Sequence, residues 1–263
     1  MSNHFKILFM GVPKQVQIAE GEFYHVYNRG IRKMTICHDA EDYARLLYLT
    51  LHSHGVHQPY NLRRRTANYL ARASFGISDR GIIDITNSRK ADLVAFALMP
   101  NHLHLILYEK RQGGISLYMQ RVLNAYTKYY NERYGTSGHL FEGKFKRVHI
   151  ESNKQLLHVS AYVHRNPREI KARFRKEDKY PWSSLQDYVE HNRWGRLIDF
   201  KPILGQFKGT KEYSKFVSSS TAKEYGWESD PKWLDIECPI IKYGSNTCIH
   251  RGSSGFALGG QIC

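Results

Sequence analysis

Apolar residues recur along this 263-residue chain with two periods, and the order in which those periods alternate predicts the fold. Glu22-Phe23-Tyr24-His25-Val26-Tyr27-Asn28 is dense in β-forming residues and runs into Arg29-Gly30, which predicts a first strand and turn. Asp39 then precedes Tyr43, Leu46, Leu47 and Leu51 at helical spacing. With acids at Glu41 and Asp42, this predicts a capped helix of about four turns. Asp92-Leu93-Val94-Ala95-Phe96-Ala97-Leu98 is a continuous apolar strand. Pro100-Asn101 turns it into a second strand, His102-Leu103-His104-Leu105-Ile106-Leu107, making a hairpin. From Ser116 to about Arg133, Leu117, Met119, Val122, Leu123, Tyr126 and Tyr130 mark an amphipathic helix. A turn and a basic strand are expected between His139 and Ile150. Ser152-Asn153-Lys154-Gln155 then reads as a capping box, opening a helix that should end near Asn166 because Pro167 disfavours helical geometry in the residue before it.

The order β-α-β-β-α-β, followed by a further helix, predicts an α+β chain with a ferredoxin-like antiparallel sheet, helices on one face, and a C-terminal extension. The expected organisation is a loose leader over 1–18, one domain over 19–190, and an extension over 191–263 that is partly disordered. Residues 52–91 read as a long, irregular insertion with a candidate short helix near 64–73. A connection of that length inside a compact domain is usually functional or partly mobile.

Charge changes the picture next. The net charge is +15, which points to a polyanionic partner, nucleic acid before anionic membrane. Residues 205–263 hold seven Lys/Arg against six Asp/Glu, so the excess belongs to the body of the fold. Cys37, Cys238, Cys248 and Cys263 show no CxxC spacing, which fits a reduced, cytoplasmic protein, and a nucleic-acid partner would make it nucleoid-associated. Cys238, Cys248 and His250 are poorly spaced for zinc, and His52, His54 and His57 read as a solvated loop before a second metal set. No apolar run reaches the roughly 18 residues needed to span a bilayer, so no membrane partner is expected.

Candidate chemistry starts at His102 and His104. Period-two alternation puts both imidazoles on one side of a strand, with Leu103, Leu105 and Leu107 on the other, and two such imidazoles suit one divalent metal. The last helix carries His158, Tyr162 and Asn166 at i, i+4 and i+8, on one stripe. Two imidazoles and a neutral amide oxygen would hold Mg²⁺ or Mn²⁺ with open positions, and the phenol would be the nucleophile. Tyr126, on the preceding helix, is the rival nucleophile, although its apolar spacing favours core packing. No phosphate-binding G-x-x-x-x-G-K-[ST] loop is present.

Four segments taken together resemble a known family: Tyr24-His25-Val26-Tyr27-Asn28-Arg29-Gly30, the segment Met99 to Leu107, His139-Leu140-Phe141-Glu142-Gly143-Lys144-Phe145-Lys146, and Tyr162-Val163-His164-Arg165-Asn166-Pro167. In that order, with Tyr180-Pro181-Trp182-Ser183-Ser184 beyond, they are similar to the single-tyrosine HUH transposases of the REP-associated type, over roughly residues 20–190. The resemblance implies a ferredoxin-like fold, metal on His102 and His104, Tyr162 as the nucleophile that leaves a 5′-phosphotyrosine and a free 3′-hydroxyl, and Asn166 as third ligand. Asn stands where many insertion-sequence relatives have Gln, and is shorter. The implied partner is single-stranded DNA at palindromic or hairpin sites, and the chain is expected as a monomer or homodimer.

Arg29, Arg32, Lys33, Lys144, Lys146 and Arg147 are candidate phosphate contacts, and Arg63, Arg64 and Arg65 could track a strand. Two other readings stand beside the transposase. One is an HUH nickase of replication or mobilisation. The other is a non-catalytic DNA- or RNA-binding module, since ferredoxin-like sheets also bind RNA through exposed aromatics.

Overall fold

The computed structural model describes residues 17–55, 60–170 and 176–220. The leader up to residue 16, His57, and the three cysteines and His250 of the C-terminal stretch lie outside the described residues. Four strands, β1 (Phe23–Arg29), β2 (Ala91–Leu98), β3 (His102–Glu109) and β4 (Lys146–Ile150), form one sheet in the order β2-β3-β1-β4. Every neighbouring pair is antiparallel. With α1 (Ala40–His52) and α4 (Gly114–Tyr134) in the crossovers, this is the ferredoxin-like βαββαβ arrangement that the apolar periodicity predicts.

The local signals act as expected. The Asp39 carboxylate accepts from the backbone N–H groups of Glu41 and Asp42 and starts α1. The Ser152 hydroxyl accepts from Gln155 N–H, and the Gln155 side chain accepts in return from Glu151 N–H, so α5 (Asn153–Arg165) begins where the capping box stands. At the hairpin tip Met99 N–H donates to the His102 carbonyl at 2.8 Å. The Pro100 carbonyl accepts from Ile36 and Cys37 N–H, which ties the hairpin to the segment before α1.

Both faces of the central strands are covered. Leu103, Leu105 and Leu107 on one side of β3, and His104 and Ile106 on the other, are all buried. The crossover helices α1 and α4 pack on each other and against the leucine face. The helix that follows the unit, α5, packs over β2 and β3 on the histidine face, where its Tyr162 ring meets His25 and His104. That helix is therefore held against a rigid two-layer body.

Two regions are more ordered than their composition suggests. Residues 52–91 contain α2 (Leu62–Arg72), where a short helix was expected, and α3 (Asp79–Ser88), which was not. These helices carry few apolar residues. α2 is held by a ring cluster (Tyr48, Tyr69, Phe75 and Trp194) assembled from three distant segments, and α3 packs on the turn Gly195–Leu197, contacts that no local period reveals. The expected boundary at 190 is likewise not where packing stops. The chain runs on through α6 (Leu185–Val189), α7 (Lys201–Leu204) and α8 (Thr210–Ser219), burying Trp194, Leu197, Ile203 and Tyr213. The segment around Tyr180-Pro181-Trp182-Ser183-Ser184 also covers the edge of β2: Leu98 N–H donates to the Trp182 carbonyl and Ser184 N–H to the Phe96 carbonyl. A bare strand edge would invite pairing with another chain, so this cover has a structural purpose.

Candidate active site

His102 and His104 project from β3 on the side of the sheet covered by α5, and the strand register brings a third histidine beside them. His25 pairs with Ile106 and Tyr27 with His104, so both face the same way as the histidine pair. His25 Nε2 lies 2.9 Å from His104 Nδ1, the rings stacked at 5.1 Å and 16°. Burial pushes the His25 imidazole down to about 3, so it is neutral at physiological pH. His104 can then offer the Nε2 lone pair only when its Nδ1–H donates to His25.

His102 is set by a different partner. Its Nδ1 lies 2.6 Å from Asn101 Oδ1, and the Asn101 amide is oriented by donating its N–H to the Lys33 carbonyl at 3.2 Å. An amide oxygen only accepts, so His102 Nδ1 carries the proton and Nε2 presents its lone pair. That Nε2 is 3.4 Å from Asn166 Oδ1. Asn166 donates its own N–H to the Tyr162 carbonyl at 3.2 Å, which turns the amide oxygen toward the histidines. Two imidazole nitrogens and one amide oxygen thus converge from β3 and from the end of α5. The donor chemistry fits a divalent ion with the remaining positions open. Among the described residues no cluster of three or more His, Cys, Asp or Glu side chains could hold a metal, so the fit depends on the Asn166 amide.

Tyr162 packs edge-on against His104, ring centroids 5.4 Å apart, and against His25 at 5.9 Å. It is 2 % exposed. The solvent-facing side of the cluster is formed by the His102 side chain, 15 % exposed, and Glu169, 49 % exposed, whose carboxylate lies 3.9 Å from His102 Nε2. The rival Tyr126 is elsewhere. Its hydroxyl donates to the Ile36 carbonyl at 2.6 Å and touches Cys37 Sγ at 3.3 Å, and burial drives its phenol far above the ordinary value. His158 also leaves the stripe, packing against Phe216.

The register of α5 has its own lock. The buried His164 ring bonds the Tyr213 hydroxyl through Nδ1 at 2.6 Å and the Ser184 hydroxyl through Nε2 at 2.8 Å. Ser184 Oγ accepts in turn from Phe96 N–H on β2. A shift of α5 would break this chain, so His164 helps to keep Tyr162 opposite His104.

The basic candidates divide by face. Arg29 pairs in register with His102 and its guanidinium meets Glu142 at 3.2 Å. Lys146 pairs with Tyr27, on the histidine side. Arg32 and Lys33 are exposed in the turn after β1 and hold left-handed backbone at φ 52° and 62°. Arg147 faces the other way, over the Phe145 ring, with exposed Lys144 nearby in sequence. Arg63 and Arg64 are exposed on α2, which packs on α1. Arg65 is turned inward, donating to the carbonyls of Phe75 and Gly76, and is not placed to track a nucleic-acid strand.

Residues 78–166 match the family model described as transposase IS200 like. The match runs from α3 to the end of α5 and takes in His102, His104, Tyr162 and Asn166. This part of the chain is IS200-transposase-like. The segments Met99 to Leu107 and His139 to Lys146 lie within the match, and Tyr24–Gly30 and Tyr180–Ser184 lie outside it. A solved structure described as a REP-associated tyrosine transposase bound to a REP hairpin is similar at 15 % identity and a TM-score of 0.44, covering 73 % of this chain and 96 % of that one. Curated proteins provide no match. Among the described residues no helix is long and apolar enough to cross a membrane.

Sequence reasoning missed His25, Asn101 and Glu169. His25 was within reach, because the alternation that pairs His102 with His104 also puts His25, Tyr27 and Arg29 on one face of β1. Which face that was depended on the β1–β3 register, and register is a tertiary property.

Proposed function

We propose that this chain cleaves and rejoins single-stranded DNA, or the single-stranded flank of a hairpin, by transesterification through Tyr162. The observation that carries the reading is the convergence of Tyr162 and Asn166 from α5 onto His102 and His104 of β3. The Tyr162 Oη attacks the phosphorus of the scissile phosphodiester and loses its proton. The P–O3′ bond breaks, leaving a 5′-phosphotyrosine, and the departing oxygen takes up a proton to become a 3′-hydroxyl. Attack by a 3′-hydroxyl on the phosphotyrosine reverses these bonds, so rejoining needs no nucleotide. His102, His104 and Asn166 would hold Mg²⁺ or Mn²⁺, which supplies Lewis-acid charge against the negative charge that builds on the phosphate. His25 and Asn101 hold the two imidazoles in the tautomer that presents Nε2, and Arg29 and Lys146 supply cations on the same face for the DNA backbone.

The test mixes the protein with end-labelled hairpins from the flanks of its gene and Mg²⁺ or Mn²⁺, followed by a denaturing gel. A metal-dependent protein–DNA band that disappears with Tyr162→Phe and with His102→Ala/His104→Ala, and survives Tyr126→Phe, is the expected result. A second reading, a non-catalytic DNA-binding module, rests on the burial of Tyr162. Hairpin binding with no covalent band under any metal would favour it.

A further inference from the structure

Three atoms that face one another beside the histidine pair can each only accept. His102 Nε2, left with its lone pair by Asn101, lies 3.4 Å from Asn166 Oδ1 and 3.9 Å from a carboxylate oxygen of Glu169. The backbone explains why both oxygens point there. Pro167 has no N–H to continue the α5 ladder, so the chain tightens into a single 3₁₀ turn over Asn166–Glu169. Three residues per turn put the first and fourth side chains on one edge, and here those are Asn166 and Glu169. Ile170 N–H closes the turn on the Pro167 carbonyl at 3.1 Å. Arg168 clamps it, its Nε donating to the carboxylate of buried Glu177 at 2.6 Å. Asn166 is buried and Glu169 half exposed, so the amide forms the floor of the cluster and the carboxylate its rim.

Lone pairs gathered at this spacing repel one another unless a cation lies among them. His102, His104 and Asn166 are neutral donors, so a divalent ion on these three alone would keep both its charges uncompensated. Mg²⁺ is ordinarily bound through one or two carboxylates and keeps several of its waters. Among the described residues no three His, Cys, Asp or Glu side chains could hold the ion between them. Glu169 therefore stands one layer out, across a water of the ion's shell, where partners of the ligands still tune affinity. The carboxylate has a second effect. A DNA phosphate approaching the histidines from solvent passes this rim, and without the ion Glu169 repels it.

We infer that Glu169 is the charge partner of the divalent ion and orders binding: it strengthens the ion at His102, His104 and Asn166, and it holds a DNA phosphate off until the ion is in place. The inference rests on the metal-dependent reading of the site given above. By linkage, ion and strand then strengthen each other more than they would without this carboxylate.

The test compares the full chain with Glu169→Gln, which keeps the shape and removes the charge. Mn²⁺ binding is followed by the EPR signal of the free ion, and binding of a single-stranded hairpin flank by fluorescence anisotropy in EDTA and in Mg²⁺. Glu169→Gln should weaken Mn²⁺ by about tenfold. It should tighten the strand in EDTA by about fivefold, the effect of one like-charge contact at ~4 Å in water. The opposite signs separate a charge from damage to the turn, which would weaken both. Glu151→Gln is the control for net charge. Glu151 follows the end of β4 that pairs with Phe23, about 20 Å along the sheet from His102 at ~3.3 Å per residue, and its removal should change neither readout. Unchanged Mn²⁺ affinity in Glu169→Gln overturns the inference, as does strand affinity in EDTA that does not rise. If His102→Ala/His104→Ala still abolishes Mn²⁺ binding in that case, the metal reading stands without Glu169. A wild-type chain that binds no Mn²⁺ refutes both.

Discussion

Removing the His25 acceptor tests how the candidate metal site is built, because His25 touches no proposed ligand atom. His104 Nδ1 lies 2.9 Å from His25 Nε2, both residues are buried, and the tautomer that presents His104 Nε2 to a metal is the one whose Nδ1–H donates to His25. His25→Leu fills similar space with no acceptor. The His104 N–H then loses its acceptor inside the fold, at a cost of roughly 1–3 kcal/mol. The imidazole escapes that cost by moving its proton to Nε2, where it blocks the metal. Partners that orient a metal-bound histidine are typically worth about 10–100-fold in metal affinity, or about 1.4–2.7 kcal/mol. His25→Gln keeps a side-chain oxygen acceptor and should recover part of the loss. The assay is isothermal titration of Mn²⁺ into wild type and both variants, each first shown to be folded by its thermal midpoint. Wild-type Mn²⁺ affinity in folded His25→Leu would refute the tautomer argument, and with it the role of His25 as the partner that orients His104.

Three further predictions follow from the buried polar groups and from one glycine. His52, His54 and His164 are buried and held down to about 4, 3 and 3 by burial. A histidine depressed in the fold stabilises fully above its unfolded value near 6.5 and loses that contribution as pH falls toward its folded value. At pH 5 each should therefore have lost about 2 kcal/mol, about 6 in all, and urea melts at pH 7 and pH 5 would measure it; a flat profile would show that these rings protonate without unfolding. Tyr126→Phe strips the hydroxyl that bonds the Ile36 carbonyl and should cost about 1–2 kcal/mol in urea while leaving the covalent DNA band intact. At Gly114 an added Cβ would run into the Lys90 carbonyl, which is backbone and cannot rotate away. Gly114→Ala should therefore lower stability by about 1–3 kcal/mol in a thermal melt, more than an ordinary helix-start substitution.

Much of the architecture was legible because its signals are local. Apolar alternation, the Asp39 and Ser152 caps and the Pro100 turn each act within a few residues, so β1, α1, the hairpin, α4, β4 and α5 stand where the pattern puts them. Period two likewise placed His102 and His104 together before any strand had a neighbour, and helical spacing placed Tyr162 and Asn166 on one stripe. What stayed hidden was whatever depended on which elements meet. The β1–β3 register added His25 to the pair, and packing against the distant turn Gly195–Leu197 accompanies a helix, α3, in residues that read as a loop. The Tyr213–His164–Ser184 chain tied the far C-terminal segment into the core. Arg65 went inward and Arg63 and Arg64 outward for the same reason, since three adjacent arginines carry one chemistry and only packing separates them. Backbone periodicity is written in neighbouring residues, whereas the choice of partner across the fold is made by long-range contacts that neighbouring residues do not encode.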